Sequence, residues 1–521
     1  MNFQLLIFLA NLILMLVFFL LIVKHVKAGF KKIGRNTLIL LFLIFLIGLA
    51  LRIPLTPYHI MTDEYYYMEV AKNILKTGEP DLCAYINIDT ESCRLYMKPP
   101  LFPFILSLVF IFFGVNSLAA ISVSVAAGSL SIILIFLLAY LLFRKREVGL
   151  WSAFLFALNP IHITWSKTAE TNVTSLFLTL LVFVLFLFYF RVRDKKILFL
   201  GLFTTMFAVN LRPENGVLII LVFLLFYLFD CDPLKLVIKN LKNKEFWVWG
   251  AVLMVILIPN LIFVSDNLFK PSLYVCQENG CYNQIFSLEA AKNNWEMYGL
   301  LSFFSHNFHP LILGSLALLS FLFIRGYKKE LTFLWAYFLS FYLMFITYNF
   351  AGARLLIPLY LAIAVLAGFS LFRLRGCLEK YLKFFAVLFL LILTAVSFYP
   401  HILETTWTNP MLASETMLPE MVEKDVRSEC YVLAEMPSIL NSKTDIKTIP
   451  TEYALDNPQT MENIIKDSDC TFFLEDTFYI AEGIFYNIEN FDKINQTYKL
   501  TPYKEYSLYN IKFHLYNLAL K

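Results

Sequence analysis

Asp63 and Glu64 stand side by side in Tyr58-His59-Ile60-Met61-Thr62-Asp63-Glu64-Tyr65-Tyr66-Tyr67, just beyond a long apolar run. Two adjacent carboxylates at a membrane edge suit general-base work or ligation of a cation. The plainer reading is a helix start, with Thr62 as the cap and both acids facing the positive dipole end. The spacing predicts that helix over Met68 to Leu75, closed by Thr77-Gly78. Further on, Arg94-Leu95-Tyr96-Met97-Lys98-Pro99-Pro100-Leu101-Phe102-Pro103 sets cations and a proline-stiffened turn before the next apolar segment. Ionisable groups recur at the ends of later apolar runs: Lys167 and Glu170, Arg212 and Glu214, His306 and His309, and Arg354.

A single such charge is often a snorkelling anchor. Several on one face are better explained as one polar cavity, because ionisable groups at membrane depth are costly and mark sites or paired networks. The mixture of carboxylates and cations suits a phosphate-bearing substrate, which arginine can hold through two hydrogen bonds. A carboxylate such as Asp63 can take the proton of an incoming hydroxyl. No P-loop or Gly-rich dinucleotide fingerprint is present, and Gly is sparse at 18 residues. An activated group would therefore come from a lipid carrier, since nucleotide sugars are generally cytosolic.

The elements that must hold these residues are membrane helices. Of 521 residues, 59% are hydrophobic and only 16% charged, with 53 Phe. Soluble domains carry about 25% charged residues, disorder needs low hydrophobicity, and disulfide scaffolds are small. Apolar runs predict about twelve spans, at 3–23, 37–53, 117–142, 148–160, 172–190, 197–211, 216–230, 246–264, 308–324, 331–349, 354–371 and 381–399. The first lacks a basic n-region and a small-x-small cleavage site, so it is expected to stay as a helix.

The connections 24–36, 143–149, 191–196, 230–245, 325–330 and 372–383 hold 23 of the 43 Lys and Arg but 7 of the 39 acids. The positive-inside rule makes these loops cytoplasmic. The loops 54–116 and 265–307, and everything after Tyr399, then face outward. If Leu101 to Val115 crossed, it would reverse the side of Arg144-Lys145-Arg146, so it is expected to dip or lie on the outer surface.

Six of eight cysteines fall in three outer pairs, Cys83 with Cys93, Cys276 with Cys281 and Cys430 with Cys470. Outer compartments permit disulfides. Three regions result: 1–36, an extra N-terminal helix and loop; 37–400, the catalytic helix bundle; and 401–521, a small α/β domain outside the membrane. In the last, Glu429–Glu435, Asp469–Leu474 and Leu508–Tyr516 are predicted strands, and a helix runs from Asn457-Pro458 to Asp467. The fold class is thus mainly α, a polytopic bundle with a small C-terminal α/β domain.

Asp63-Glu64 with Tyr65 and Ala71-Lys72-Asn73-Ile74-Leu75-Lys76-Thr77-Gly78 resembles the opening signature of GT-C glycosyltransferases. So does Lys98-Pro99-Pro100-Leu101-Phe102-Pro103 with Phe113-Gly114-Val115-Asn116, and Arg354-Leu355-Leu356-Ile357-Pro358-Leu359-Tyr360 resembles their late Arg-Tyr-hydrophobic-Leu-Pro pattern. The likeness is to the branch holding protein O-mannosyltransferases and lipid A aminoarabinose transferases, over about 37–371. It implies an inverting transferase using a polyprenyl- or dolichyl-phosphate sugar. Asp63 resembles the catalytic acid, Lys98 the lysine that contacts carrier phosphate, and Arg354 a second phosphate contact. Glu170 and His306 resemble outer-loop positions of the family. The chain departs from the pattern at Met97, where relatives carry Glu, and at Leu355, where they carry Tyr.

The expected reaction moves a sugar from a polyprenyl-phosphate donor to a glycan, lipid or protein acceptor at the outer membrane face. Asp63 is the base; Glu64, His59 and Tyr65 orient the sugar; Lys98, Arg354 and Arg212 face phosphate; Glu170 and His306 line the cavity. No cofactor is firmly implied and no nucleic-acid partner is expected. A metal-dependent oligosaccharyltransferase would instead use Asp63 and Glu64 as divalent-cation ligands. A flippase would show inverted repeats and midplane breaks, and the sequence shows neither.

Overall fold

The computed structural model describes residues 2–54, 62–87, 92–95, 99–230, 243–269, 276–277, 280–281, 288–298, 311–348, 353–377, 410–475, 478–480, 483–485, 488–508 and 511–521. Helices α1 (Phe3–Lys31) and α2 (Arg35–Arg52) follow one another through a short connection. Its corner is Gly34, whose φ of 90° lies in the region that side-chain-bearing residues rarely adopt. The first helix runs past Val23, so Lys24, Lys27 and Lys31, expected in a loop, sit on its last turns. Cations there complement the negative end of the helix dipole.

Helix α3 (Thr62–Thr77) starts six residues before the predicted Met68. Asp63 and Glu64 therefore occupy its first turn, where acids favour helix initiation. A disulfide between Cys83 and Cys93 staples the hairpin of β1 (Asp81–Asn87) and β2 (Ser92–Leu95) that follows. Helix α4 (Leu101–Phe113) has 13 residues. At 1.5 Å per residue it reaches about 20 Å, short of the roughly 30 Å of hydrocarbon.

The body of the bundle comprises α5 (Ser117–Phe143), α6 (Arg146–Ala157), α7 (Pro160–Ser166), α8 (Thr171–Val192), α9 (Lys195–Leu211), α10 (Val217–Phe229), α11 (Lys244–Phe269), α12 (Leu288–Tyr298), α13 (Leu311–Leu319), α14 (Lys328–Ile346) and α15 (Leu359–Cys377). Eleven of the twelve apolar runs are helical; the run 381–399 lies outside the described residues. Among the described residues, five helices are long and apolar enough to cross a bilayer, and the bent α6–α7 pair makes a sixth. Helix α15 is apolar and buried from Leu359 to Leu371 on all sides, as a central helix must be. It touches α6 at Gly368, where an added Cβ would lie 2.6 Å from the Ser152 backbone nitrogen. Such small-residue contacts let backbones approach where lipid offers no hydrophobic drive.

The α6–α7 axis bends by 63°. Pro160 opens α7 and the Asn159 side chain caps it, accepting from the His162 N–H at 2.9 Å. The break strands the last carbonyls of α6, and the fully buried Arg52 satisfies them. It donates to Ala157 O at 3.0 Å and Phe156 O at 3.4 Å, and its guanidinium lies 3.0 Å from His162 Nδ1. A fourth bond reaches Gly48 O at 2.8 Å. An arginine in the body of the bundle is tolerated because its donors meet an otherwise unsatisfied helix end.

The C-terminal part is a five-stranded sheet in the order β10-β11-β7-β5-β6. Its strands are β5 (Tyr431–Ala434), β6 (Lys447–Pro450), β7 (Thr471–Glu475), β10 (Tyr498–Leu508) and β11 (Ile511–Leu520); β3 and β4 (276–277 and 280–281) and β8 and β9 (478–480 and 483–485) are separate two-stranded ladders. β5 is parallel to β6 and β7, and β11 antiparallel to β7 and β10. One face, with Val432, Phe472, Leu474, Phe513 and Leu515, packs on Leu418 and Val422 of α16 (Pro410–Asp425). The other, with Leu433, Ile449, Phe473 and Leu518, packs on Ala454, Met461 and Ile494 of α18 (Thr451–Asp456), α19 (Pro458–Asp467) and α20 (Ile488–Thr497). The short helix α17 (Pro437–Asn441) follows β5.

The strands expected at Glu429–Glu435 and Asp469–Leu474 are β5 and β7, and the expected helix is α19. The strand expected over Leu508–Tyr516 is corrected: Leu508 pairs with Ile511, so the chain reverses there and its alternating half is β11. Cys430 and Cys470 form a disulfide ahead of β5 and β7, closing a 40-residue separation worth about 4 kcal/mol in the loop-entropy account. Cys276 stands opposite Cys281 in the β3–β4 ladder.

The sheet docks on α3 through α17. Buried Lys72 donates to Asn441 O at 2.6 Å and to Thr444 O, and lies 3.2 Å from Asp445 Oδ1; Lys76 reaches the other carboxylate oxygen. Tyr65 packs on Ile439 and Met436 beside them. Partial burial pushes the Asp445 carboxyl up, but the hydrogen bond from Lys76 and the charge of Lys72 outweigh it and hold it below its ordinary 3.8. A carboxyl held low stabilises the folded arrangement at pH above 3.8, and this is lost as pH falls through the lowered value. Protection factors across 437–445, corrected for the intrinsic pH dependence of exchange, should thus be unchanged from pH 7 to pH 5 and fall below about pH 4. Asp445→Asn should show the faster exchange already at pH 7; equal protection in both proteins would remove this contact as a determinant of docking.

Candidate active site

Three separate helix ends bring the predicted charges together. Glu170 is the N-cap of α8, its Oε2 accepting from the Thr171 N–H at 3.3 Å. Its backbone is fixed by the Ser124 hydroxyl, which donates to Glu170 O at 3.2 Å. Arg354 sits on a 3₁₀ turn, Ala353–Leu356, ahead of α15. Tyr337 of α14 anchors the second residue after this turn, its hydroxyl donating to Pro358 O at 2.9 Å. Asp63 comes from the first turn of α3.

Arg354 bridges the other two. Its Nη1 donates to Glu170 Oε1 at 2.9 Å, and its Nη2 lies 3.5 Å from Asp63 Oδ2. The guanidinium also stands over the Trp165 ring at 5.9 Å, a favourable cation–π placement. Glu170 continues the chain: its Oε2 is 3.5 Å from Asn172 Nδ2, and Asn172 Oδ1 accepts from Arg212. Arg212 closes on Glu214, Nη2 to Oε1 at 3.0 Å. Six residues thus form one polar network from α3 to the end of α9. Its three carboxylates and two guanidiniums leave one net negative charge. The Glu170 side chain is 2% exposed and that of Asp63 19%, so Asp63 is the more accessible of the two carboxylates on Arg354.

Two tyrosines border the network. Burial, then the charges of Glu170 and Asp63, pushes Tyr67 well above its ordinary value. Burial, then Glu214, pushes Tyr348 to about 12. Both remain O–H groups at neutral pH. Lys167, in the turn between α7 and α8, is pushed down to about 8 by burial, then by the Arg52 charge.

Of the predicted residues, Asp63, Glu170, Arg212 and Arg354 converge. Glu64 points elsewhere: its Oε2 accepts from the Ala169 N–H at 2.7 Å and pins the α7–α8 turn to α3. Neighbours in a helix do not face each other, so the Asp63 and Glu64 carboxylates diverge. Tyr65 faces α17 of the C-terminal part. His59, Lys98 and His306 lie outside the described residues. Among the described residues, no three His, Cys, Asp or Glu side chains gather closely enough to hold a metal ion.

Sequence reasoning did not assign Asn172, Trp165, Tyr67 or Tyr348 to the site. Asn172 and Trp165 carry a usable signal, since both flank Glu170 within five residues. Tyr67 is one helical turn after Asp63, which predicts a shared face. Tyr348 has no local signal.

Residues 97–263 match the family described as dolichyl-phosphate-mannose-protein mannosyltransferase. That stretch carries Glu170 and Arg212 but neither Asp63 nor Arg354. An uncharacterised Aquifex aeolicus protein is 27% identical over 59% of this chain and 58% of its own length. The dolichyl-phosphooligosaccharide-protein glycotransferase 2 of Archaeoglobus fulgidus is 31% identical over 28% of this chain and 26% of its own. The chain thus spans little more than half of the first curated relative and about a quarter of the second. Among solved structures, apo ArnT from Cupriavidus metallidurans superposes with a TM-score of 0.59 at 11% identity, over 94% of this chain and 98% of that one. The apo Archaeoglobus fulgidus oligosaccharyltransferase gives 0.56 at 13%, over 84% and 69%. The chain has the fold of the GT-C superfamily of polytopic membrane glycosyltransferases, with a small sheet domain at its C-terminal end.

The geometry separates the two adjacent acids experimentally. Glu64→Gln keeps an oxygen for the Ala169 N–H, and transfer activity should stay within about threefold of wild type. Glu64→Ala leaves a buried N–H unsatisfied, costing about 1–3 kcal/mol, and should lower the thermal midpoint. A large activity loss in Glu64→Gln at unchanged stability would make Glu64 a participant in the chemistry.

Proposed function

We propose that this chain transfers a sugar from a polyprenyl- or dolichyl-type phosphate to an acceptor at the extracytoplasmic membrane face, with inversion. The observation that carries this reading is the Asp63–Arg354–Glu170 bridge at the mouth of the helix bundle. The relatives support the donor class. ArnT has been solved bound to undecaprenyl phosphate, and the Archaeoglobus fulgidus enzyme with an inhibitory peptide and a dolichol-phosphate. The basic loops of the sequence and the Cys83–Cys93 and Cys430–Cys470 disulfides in the loops opposite to them in the topology support the orientation.

In the reaction the acceptor oxygen attacks the anomeric carbon from the side opposite the phosphate. Its proton passes to Asp63 as the new C–O bond forms, and the bond from carbon to phosphate oxygen breaks, its electron pair leaving with the lipid phosphate. Protonation removes the Asp63 charge, so the Arg354 nitrogen that faced it turns to the phosphate charge developing beside it. Base and charge stabiliser are thereby coupled through one guanidinium. Such preorganised donors typically contribute several kcal/mol. Glu170 holds Arg354 in place throughout, and Arg212, held by Glu214, is a second cation on the phosphate path. Lys98 belongs to the same role by its motif.

Transfer of radiolabel from a polyprenyl-phosphate sugar in proteoliposomes tests the assignment. Asp63→Asn should lower the rate by at least about 100-fold. Arg354→Gln should lower it by about 100- to 1000-fold, and Arg354→Lys should lose less. Near wild-type transfer by Asp63→Asn would remove it as the base. Movement of the lipid across the bilayer without covalent transfer would overturn the enzymatic reading.

A further inference from the structure

The end of α2 remote from Asp63 carries a second polar feature that the transfer reaction does not use. Lys27 and Lys31, one turn apart on α1, and Arg35 at the start of α2 flank the Gly34 corner. Together with Phe30, Leu38, Ile39 and Phe42 they line an open groove of about 780 Å³. Its walls are almost wholly apolar, and the three cations gather on the residues nearest the corner. No acid lines it.

Neighbouring charges at this end of the bundle behave differently. His25 lies 3.5 Å from Asp194, Arg193 pairs with Asp230, and Lys195 is 3.9 Å from Glu245. Among the described residues, Lys27, Lys31 and Arg35 have no acidic partner. The corner that carries them is held: Arg146 Nη2 donates to Lys32 O at 2.8 Å, Ile33 is buried, and its N–H bonds Phe30 O at 3.1 Å. Gly34 offers no side chain to cap α2, so the first N–H groups of that helix add partial positive charge beside Arg35.

We infer that this groove binds one anionic phospholipid, its phosphodiester among Lys27, Lys31 and Arg35 and its chains along Phe30, Leu38, Ile39 and Phe42. The apolar walls select a lipid over free phosphate, and three unpaired cations select an anionic headgroup over a zwitterionic one. The site is distinct from the transfer centre. The 18 residues of α2 alone span about 27 Å from the groove to Arg52, at 1.5 Å per residue. A ligand here is a structural lipid of the membrane, not the sugar donor.

Native mass spectrometry of the full chain, titrated with phosphatidylglycerol or phosphatidylcholine of matched chains, tests this. One phosphatidylglycerol should be retained with at least tenfold preference over phosphatidylcholine. The triple variant Lys27→Gln, Lys31→Gln, Arg35→Gln should lose that preference. A control triple elsewhere, Lys196→Gln, Lys328→Gln, Lys329→Gln, should keep it. Inorganic phosphate at millimolar concentration should not displace the lipid. Equal retention of the two lipids by wild type, equal losses in both triples, or displacement by free phosphate would each overturn the assignment. The wild-type comparison decides even if the groove triple fails to fold.

Discussion

Arg354 holds two carboxylates from different parts of the chain, and much of the architecture follows from the cost of doing so. A guanidinium and two acids at the edge of a helix bundle lose water that only close, well-directed partners can replace. The bridge therefore requires that the first turn of α3, the N-cap of α8 and the 3₁₀ turn before α15 meet within hydrogen-bond distance. The structure fixes each of these separately: the Ala169 N–H to Glu64, the Ser124 hydroxyl to Glu170 O, and the Tyr337 hydroxyl to Pro358 O. None of these three bonds touches the reacting groups as we assign them. Their role is to keep Asp63 and Arg354 at a separation the proposed chemistry can use.

The same logic operates deeper in the bundle with a different result. Among the described residues Arg52 has no acidic partner, and its donors go to the carbonyls that the α6–α7 bend exposes. The bend in turn directs α7 so that Trp165 stands under Arg354 and the Lys167–Ala169 turn reaches Glu64. A cation in the interior thus sets the geometry of the polar network at the edge. The C-terminal sheet is tied to the same helix, since Tyr65, Lys72 and Lys76, two to 13 residues along α3 from Asp63, hold α17 and the residues after it.

Membrane character, the positions of the spans and the charges that gather were legible in the sequence, because apolar runs and charges at their ends are local patterns. Asp63, Glu170, Arg212 and Arg354 were found this way. The different directions of the Asp63 and Glu64 carboxylates were not, although helical geometry alone makes adjacent side chains diverge. The helix was predicted over Met68 to Leu75, and it extends back to Thr62, where Tyr65 and Tyr67 are buried. Arg52 escaped notice for the opposite reason. At the end of an apolar run it looks like an anchor reaching for water, and only the bend more than 100 residues later reveals the carbonyls it serves.

One net negative charge on the six-residue network has a consequence for binding order. A lipid phosphate approaching this end of the bundle meets Asp63, the most exposed carboxylate of the Asp63–Arg354–Glu170 bridge, before it meets the guanidinium behind it. In our mechanism full neutralisation of the phosphate by Arg354 waits for the Asp63 proton, and so for the acceptor. Donor alone would then be held by cations outside the bridge, Arg212 among them, and the bond to the sugar would weaken only with the acceptor hydroxyl in place. Such coupling protects the activated sugar from water, because a hydrolysing water would have to satisfy the same geometry at Asp63 without the binding contacts of the acceptor.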